Sequence, residues 1–383
     1  MSDPPQSRDM PIRIEPFVPN HIPAVKDFNE RLQAGGAPPE YVFFGTPEPT
    51  WLPRSNGKLI FNELFLALDG EVVRGAYALK HQPFQVLGET RTLGFYHHPF
   101  SEGIVSREHS LVGAVLLKDV LRRQPLTYCL GMAGMDRPLP RMLSALKWNL
   151  FAVPFRFRIL RPFRFLRGME TLRQDPRKRY AMDAAAFSGL GPAGIHILQA
   201  WKGRANLGGS AATVVLEPSF GEWADEVWSN CAGDYPLIAI RDRAALNVLF
   251  PVDNPWFKRL RISLAGRTAG WAVVATRQVQ DHPQYGSLRV GQIVDVLGRK
   301  SDAGAILAAA VGFLKGQNAD IATCNHSHAS WVSAMDKAGF LTGPSNFIFA
   351  APRALTAILS PFETYQTQLF FTRADGDGLY RFV

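Results

Sequence analysis

The sequence predicts an α/β fold built as two tandem copies of one domain, and three observations carry the prediction. First, residues 289–325 read as strand, loop, helix and strand. Positions 290–297 form a β-branched apolar run, 298–304 a polar loop bounded by glycines, 305–315 an alanine- and leucine-rich helix, and 320–324 a short buried strand. Second, both halves carry the order hairpin, strand, helix, strand, helix, strand, which is the mark of an internal repeat. The spacing agrees: Gly70 and Gly113 lie 43 residues apart and Gly266 and Gly304 38, while 16 residues separate Gly113 from Cys129 and 20 separate Gly304 from Cys324. Third, 383 residues are enough for two cores.

Taken in order, residues 1–10 read as disordered and 11–16 as a strand. An amphipathic helix at 22–32 ends near Gly35 and Gly36, and 37–58 is a long loop rich in Pro and Gly. Asp69-Gly70 between alternating apolar runs at 64–68 and 72–79 predicts a hairpin. A strand at 92–96 leads into HHPFSEGIVSREHS. A helix follows at 111–122, with arginines at the end that the helix dipole favours. Positions 126–132 form a strand and 139–148 a helix. The alternation of Phe and Arg at 155–166 predicts paired strands with one wet face. The basic, polar stretch 167–210 reads as a connector, with a helix at 181–201 and a flexible loop at 203–210. The second half runs strand 213–217, helices 222–230 and 241–250, hairpin 260–275, the 289–325 unit, helix 330–338 and strand 346–350. A last strand at 366–372 and a turn at 374–378 close it. The domains are therefore placed at 10–166 and 211–383, around the connector 167–210.

The chain is 46% hydrophobic and 20% charged, ordinary for a globular protein. A net charge of +9 points to an anionic partner: a phosphorylated cofactor, nucleic acid or a lipid surface. Cys129, Cys231 and Cys324 lie far apart, so buried structural thiols in a reducing cytoplasm are expected, not a disulfide framework or a metal site. The opening residues show neither the basic nor the apolar segment of a signal peptide. The longest apolar run, 303–314, is too short to span a bilayer.

Several residue groups carry chemistry. His97 and His98 follow a strand end and precede Pro99, and histidine, titrating near neutrality, suits a general base; Glu102 four residues on could orient it or act itself. Asp295 sits inside an apolar strand, where a carboxylate needs a partner; it is either a cleft base or the mate of an arginine. His326 and His328 lie in a loop without a third metal ligand, so a helix-capping loop with Asn325 or Ser327 as the cap is expected. A helix that follows a strand through a polar loop offers unpaired N–H groups to an anion such as a pyrophosphate.

The element order, RDRAALNVLF before the second hairpin and MDKAGF at 335–340 resemble the GNAT acyltransferase superfamily, here in tandem. YHHPFSEGIV, GMAG and PSNFIFAA resemble tandem GNAT proteins found with bacterial exopolysaccharide assembly, related to the FemAB-like transferases. The resemblance covers about 10–165 and 206–373. It implies two GNAT-like domains, each a mixed central sheet flanked by helices, and a cytoplasmic N-acyltransferase taking acetyl-CoA or another acyl-CoA and an amino-bearing acceptor, such as an amino sugar of a polysaccharide precursor. The family's acyl-CoA loop, Arg/Gln-x-x-Gly-x-Gly/Ala, maps onto Arg299 and Gly304, with Asp302 for the middle glycine. In the first half it maps onto Ser110, Leu111, Val112 and Gly113, with Leu111 for that glycine and Glu108 or His109 upstream. The family's acid, a tyrosine, is Met335 here, which cannot donate a proton. The expected catalytic groups are thus His98, Glu102 and Asp295, with no metal and no nucleic-acid partner. Two alternatives stand beside this reading: FemAB-like transfer from aminoacyl-tRNA, and a non-catalytic binding or assembly subunit.

Overall fold

A computed structural model describes residues 12–54, 57–203, 212–376 and 378. The expectation of disorder at 1–10 and most of the loop at 203–210 lie outside the described residues. The described part of the first half runs β1 (Arg13–Pro16), α1 (Ile22–Ala34), the hairpin β2 (Phe61–Asp69) and β3 (Val72–Val86), β4 (Glu89–Ser101), α2 (Val112–Arg123), β5 (Thr127–Gly131), α3 (Pro138–Ala145) and β6 (Asn149–Ala152). Next come β7 (Phe155–Ile159), α4 (Pro162–Gly168), α5 (Pro176–Phe187) and α6 (Leu190–Lys202). The second half has β8 (Thr213–Glu217), α7 (Glu222–Cys231), β9 (Leu237–Ala239), α8 (Arg243–Leu249), the hairpin β10 (Lys258–Leu264) and β11 (Arg267–Gln278), β12 (Arg289–Gly298), α9 (Ala303–Gly316), β13 (Ile321–Asn325), α10 (Ala329–Lys337), β14 (Leu341–Gly343) and β15 (Ile348–Ala351).

These strands form two mixed sheets flanked by helices, ordered β1-β2-β3-β4-β5-β15-β6, with β9 also on β3, and β14-β7-β13-β12-β11-β10-β8. The pairs β4–β5 and β12–β13 are parallel, each joined by a helix, and the other strand pairings are antiparallel. The unit at 289–325 is the β12–α9–β13 crossover, and its counterpart is β4–α2–β5. The sheets also exchange strands. β7, from before the connector, pairs with β13 and β14, while β15, from near the end, is inserted between β5 and β6.

Three expected elements differ. The Phe/Arg run is a strand only to Ile159. Pro162 has no N–H for a ladder and its fixed φ suits the first turn of a helix, so α4 begins there. The single helix at 181–201 is two helices broken at Gly189, whose φ of 75° lies in the left-handed region. The expected strand at 366–372 is a short 3₁₀ turn followed by an extended segment. That segment makes one bridge to each sheet, Ile238 to Phe370 and His326 to Thr372.

Candidate active site

The first half opens a cavity of about 290 Å³ where its parallel strands part. β4 and β5 pair only at Gly94–Thr127 and Phe95–Tyr128. Just beyond, β4 bulges: Ala78 faces His97 and Ala76 faces Phe100, so His98 and Pro99 stand opposite Tyr77 alone. His98 takes φ of 49° to make this bend, a strained conformation for a residue with a side chain. The β4 edge past Phe95 therefore borders a cleft instead of a strand. Tyr96, His97, His98, Pro99, Phe100 and Ser101 all line it.

The far wall comes from β5 and the helices. Leu116 of α2, Leu130 of β5, and Leu139 and Met142 of α3 supply apolar surface, and Arg137, immediately before α3, supplies a cation. Ser110 and Gly113 close one end at the start of α2. No side chain caps that helix, Ala114 N–H bonds back to the Leu111 carbonyl, and the positive end of the helix dipole borders the cavity at Ser110 and Gly113. A β-carbon on Gly113 would meet nothing nearer than Ser101 Oγ at 3.7 Å, so this turn leaves room for a ligand against its backbone. At Gly103 the opposite holds. A β-carbon there would come within 2.5 Å of the His109 carbonyl oxygen, so only glycine lets the loop after β4 fold tightly against the start of α2.

The two histidines are hydrogen-bonded to each other. His97 Nε2 lies 3.0 Å from Asn62 Oδ1, and His97 Nδ1 lies 2.7 Å from His98 Nδ1. With Nε2–H donating to the amide oxygen, Nδ1 of neutral His97 is an acceptor and His98 Nδ1–H donates to it. His97 stacks on Phe95 with ring planes 5° apart, and His98 packs against Phe44, so both rings are held in place. Tyr96 adds a hydroxyl that is buried and has no hydrogen-bond partner among the described residues. Burial holds its pKa well above the usual tyrosine value, so it stays protonated and can only donate to an anionic guest.

The sequence-predicted residues divide. His98, Ser110 and Gly113 meet in this cavity. Leu111 is exposed beside it, and Val112 is buried in the core beneath. Glu102 lies near the cavity but is spent on structure: Arg31 Nε donates to one carboxylate oxygen at 2.8 Å and Arg74 to the other at 3.0 Å. Burial alone would raise its pKa, but these two hydrogen bonds and charges prevail and lower it. Asp295 is not among the residues that line the cavity. It is fully buried in a cluster with Arg241, Thr372 and Asp375, with Arg241 Nε at 3.1 Å from Asp295 and a terminal nitrogen at 2.8 Å from Asp375. Of its two expected roles, the geometry gives it the arginine's mate.

Arg299 is exposed and Gly304 half-buried in the second half, outside the cavity, and Asp302 is bonded to Arg267 at 2.7 Å. Met335 is buried in the core of that half. The α10 cap is His328 itself, whose Nδ1 accepts from the Ser330 N–H at 3.1 Å, and neither Asn325 nor Ser327 fills that role. Sequence reading missed Tyr96, Arg137 and the α3 wall. Tyr96 looked like an ordinary alternating strand residue, and only the parting of the strands turns it toward a cavity.

No protein-family model and no curated protein matches the sequence. Solved structures do match the fold. N-myristoyltransferase from Saccharomyces cerevisiae with bound myristoyl-CoA superposes with a TM-score of 0.52 at 11% identity, covering 91% of this chain and 82% of that one. The same enzyme with myristoyl-CoA and inhibitors gives 0.52 at 12%, covering 91% and 83%. A probable N-acyltransferase from Enterococcus faecalis gives 0.49 at 10%, covering 91% and 74%. At these identities the likeness speaks for the fold alone: this chain shares with N-myristoyltransferase an α/β fold of two mixed sheets flanked by helices.

Proposed function

We propose that the protein is an acyl-CoA-dependent N-acyltransferase and that the β4–β5 cavity is its donor site. The observation that supports this most is the cavity itself, an apolar cleft between parting parallel strands with an uncapped helix N-terminus at one end. The pyrophosphate of CoA is assigned to Ser110–Gly113, where N–H groups and the helix dipole favour an anion and Arg137 adds charge. The acyl chain is assigned to Leu116, Leu130, Leu139 and Met142. In the reaction the acceptor nitrogen attacks the thioester carbon, the C–N bond forms, and the C–S bond breaks. His98 takes the proton lost by the amine, and that proton is then available to the departing thiolate. The Tyr96 hydroxyl and main-chain N–H groups along the parted β4 edge donate to the carbonyl oxygen as it gains charge.

The acceptor of this reading is an amine, with an amino sugar of a polysaccharide precursor as the form the sequence resemblance implies, and the reaction is placed in the cytoplasm. The division at 10–166 and 211–383 belongs to the same reading, the first part holding the donor and the second shaping the acceptor side. Calorimetry of the whole chain with acetyl-CoA and longer acyl-CoAs tests the donor site. Micromolar binding, about −8 kcal/mol, is expected, and no heat with any acyl-CoA would sink the proposal. His98→Asn keeps a side chain that tolerates positive φ and should lower turnover by about 10²–10⁴-fold with binding intact.

A further inference from the structure

The connector helices carry a surface that the donor site does not use. On α6, Leu190, Ala193, Gly194, Ile197, Leu198 and Trp201 are exposed at helical spacing. Leu190 is 76% exposed and Ile197 69%, far more than isolated surface leucines and isoleucines in a core-facing stripe would be. The orientation is fixed from the other side of the helix. The Gln199 amide is buried and bonds both the N–H and the carbonyl of Ile159 at the edge of the second sheet, at 2.8 and 3.1 Å. Gly339 closes over the Gln199 carbonyl so tightly that a β-carbon would come to 2.8 Å. The helix is thus anchored with its apolar stripe facing outward.

The same connector carries positive charge, and α4, α5 and α6 pack on one another. Residues 161–202 hold eight basic side chains against three acidic ones, so they supply five of the chain's nine net positive charges. Arg177, Lys178 and Arg179 are exposed together at the start of α5. Arg167 sits over the exposed rings of Phe163 and Phe187, 5.9 and 5.0 Å from their centres. Aliphatic side chains give nothing to a nucleic-acid backbone, and arginines give nothing to a purely apolar partner. A bilayer with anionic headgroups takes both: acyl tails receive the leucine, isoleucine and tryptophan, and phosphates meet the arginines. No helix among the described residues is long and apolar enough to cross a membrane.

We propose that the outward face of α4–α6 docks the protein on an anionic lipid surface, with α6 lying in the headgroup layer. Flotation of the full chain with vesicles tests it, comparing phosphatidylcholine alone with phosphatidylcholine containing about a third phosphatidylglycerol. Binding to the anionic vesicles and far less to the neutral ones is expected. The double variant Leu190→Asp, Ile197→Asp should abolish it, with an unchanged unfolding midpoint because both side chains are exposed. Neutralising Arg177, Lys178 or Arg179 should weaken it about five-fold each. Absence of binding, equal binding to both vesicles, or aspartate variants that float like the parent would overturn the proposal. So would a dimer in light scattering that the aspartates dissolve, which would give the stripe to a second copy. Retention of RNA by the aspartate variants, with no vesicle binding by the parent, would give the charge to a nucleic acid.

Discussion

In the first half β4 and β5 pair at two positions and then part around a cavity; in the second, β12 and β13 pair at four, from Val290–Ile321 to Ile293–Cys324, and the space beyond is filled with protein. The filling is the segment after Leu369. Phe370 lies under the Arg241 guanidinium, with its ring 4.6 Å from that of His326, and Thr372 and Asp375 join the Arg241–Asp295 pair. The sites match in position. His97 pairs opposite Ala78, three residues past Gly75, and Asp295 pairs opposite Val273, three past Gly270. Each half thus holds a titratable group beside a strand irregularity. A free edge makes one a candidate site, and a neutralising arginine with a plugging segment makes the other an interlock between the sheets.

The comparison breaks most sharply at Arg241. It is fully buried and serves two carboxylates. Arg241→Met would leave both without a cation, and removing one partner of a buried pair costs about 3–5 kcal/mol. A urea titration of the full chain reads this as a large fall in midpoint. A loss under about 1 kcal/mol would mean that packing of Phe370, not charge, keeps the second cleft shut.

A smaller effect separates the halves by pH. His328 is pushed down to about 4 by burial, helped by Lys300, and burial drives His326 well below its usual range. Both histidines resist protonation in the fold but accept a proton near 6.5 when unfolded, so the unfolded chain binds more protons between about 6.5 and 4. Stability should therefore be full above 6.5 and fall as pH drops through that window, by on the order of 2–3 kcal/mol for His328. His328→Gln should flatten the slope in an unfolding series from pH 7 to about 4. A profile unchanged by the substitution would remove His328 from the account.

How far these differences could be read in advance depends on whether the deciding partner is local. The crossover units were legible because β-branched runs, glycine loops and an alanine-rich helix are local signals, and so was the placing of Gly113 at a helix start; His97 and His98, expected to follow a strand that ends at Tyr96, instead lie inside β4, which runs on to Ser101. The fate of Asp295 was not legible, because its partners lie 54 residues before it, at Arg241, and 77 after it, at Thr372. The strand exchange was equally hidden. Nothing in the run 155–159 says that it joins β13, and β15 reaches β5 and β6 from about 200 residues away. Pairing partners at such distances are set by which sheet edges remain open, a property of the assembled fold.

The smallest effect tests what Glu102 does beside the open cleft. Its carboxylate ties α1, through Arg31, and β3, through Arg74, to the loop after β4, while His109 stands 4.0 Å away. Both oxygens therefore face an arginine, which holds the carboxylate ionised and makes it a weaker base. Glu102→Gln keeps the shape but weakens two charge-assisted bonds, so a loss of about 1–3 kcal/mol in unfolding free energy is expected. Because the folded pKa lies below the ordinary 4.5, the carboxylate stabilises the protein above that value and ceases to as pH falls through its folded pKa; the glutamine variant should lack this acid step. Turnover at saturating donor should stay near the parent's. A hundred-fold loss of turnover with unaltered stability would move Glu102 from the frame into the chemistry, and would leave His98 as its partner rather than the sole base.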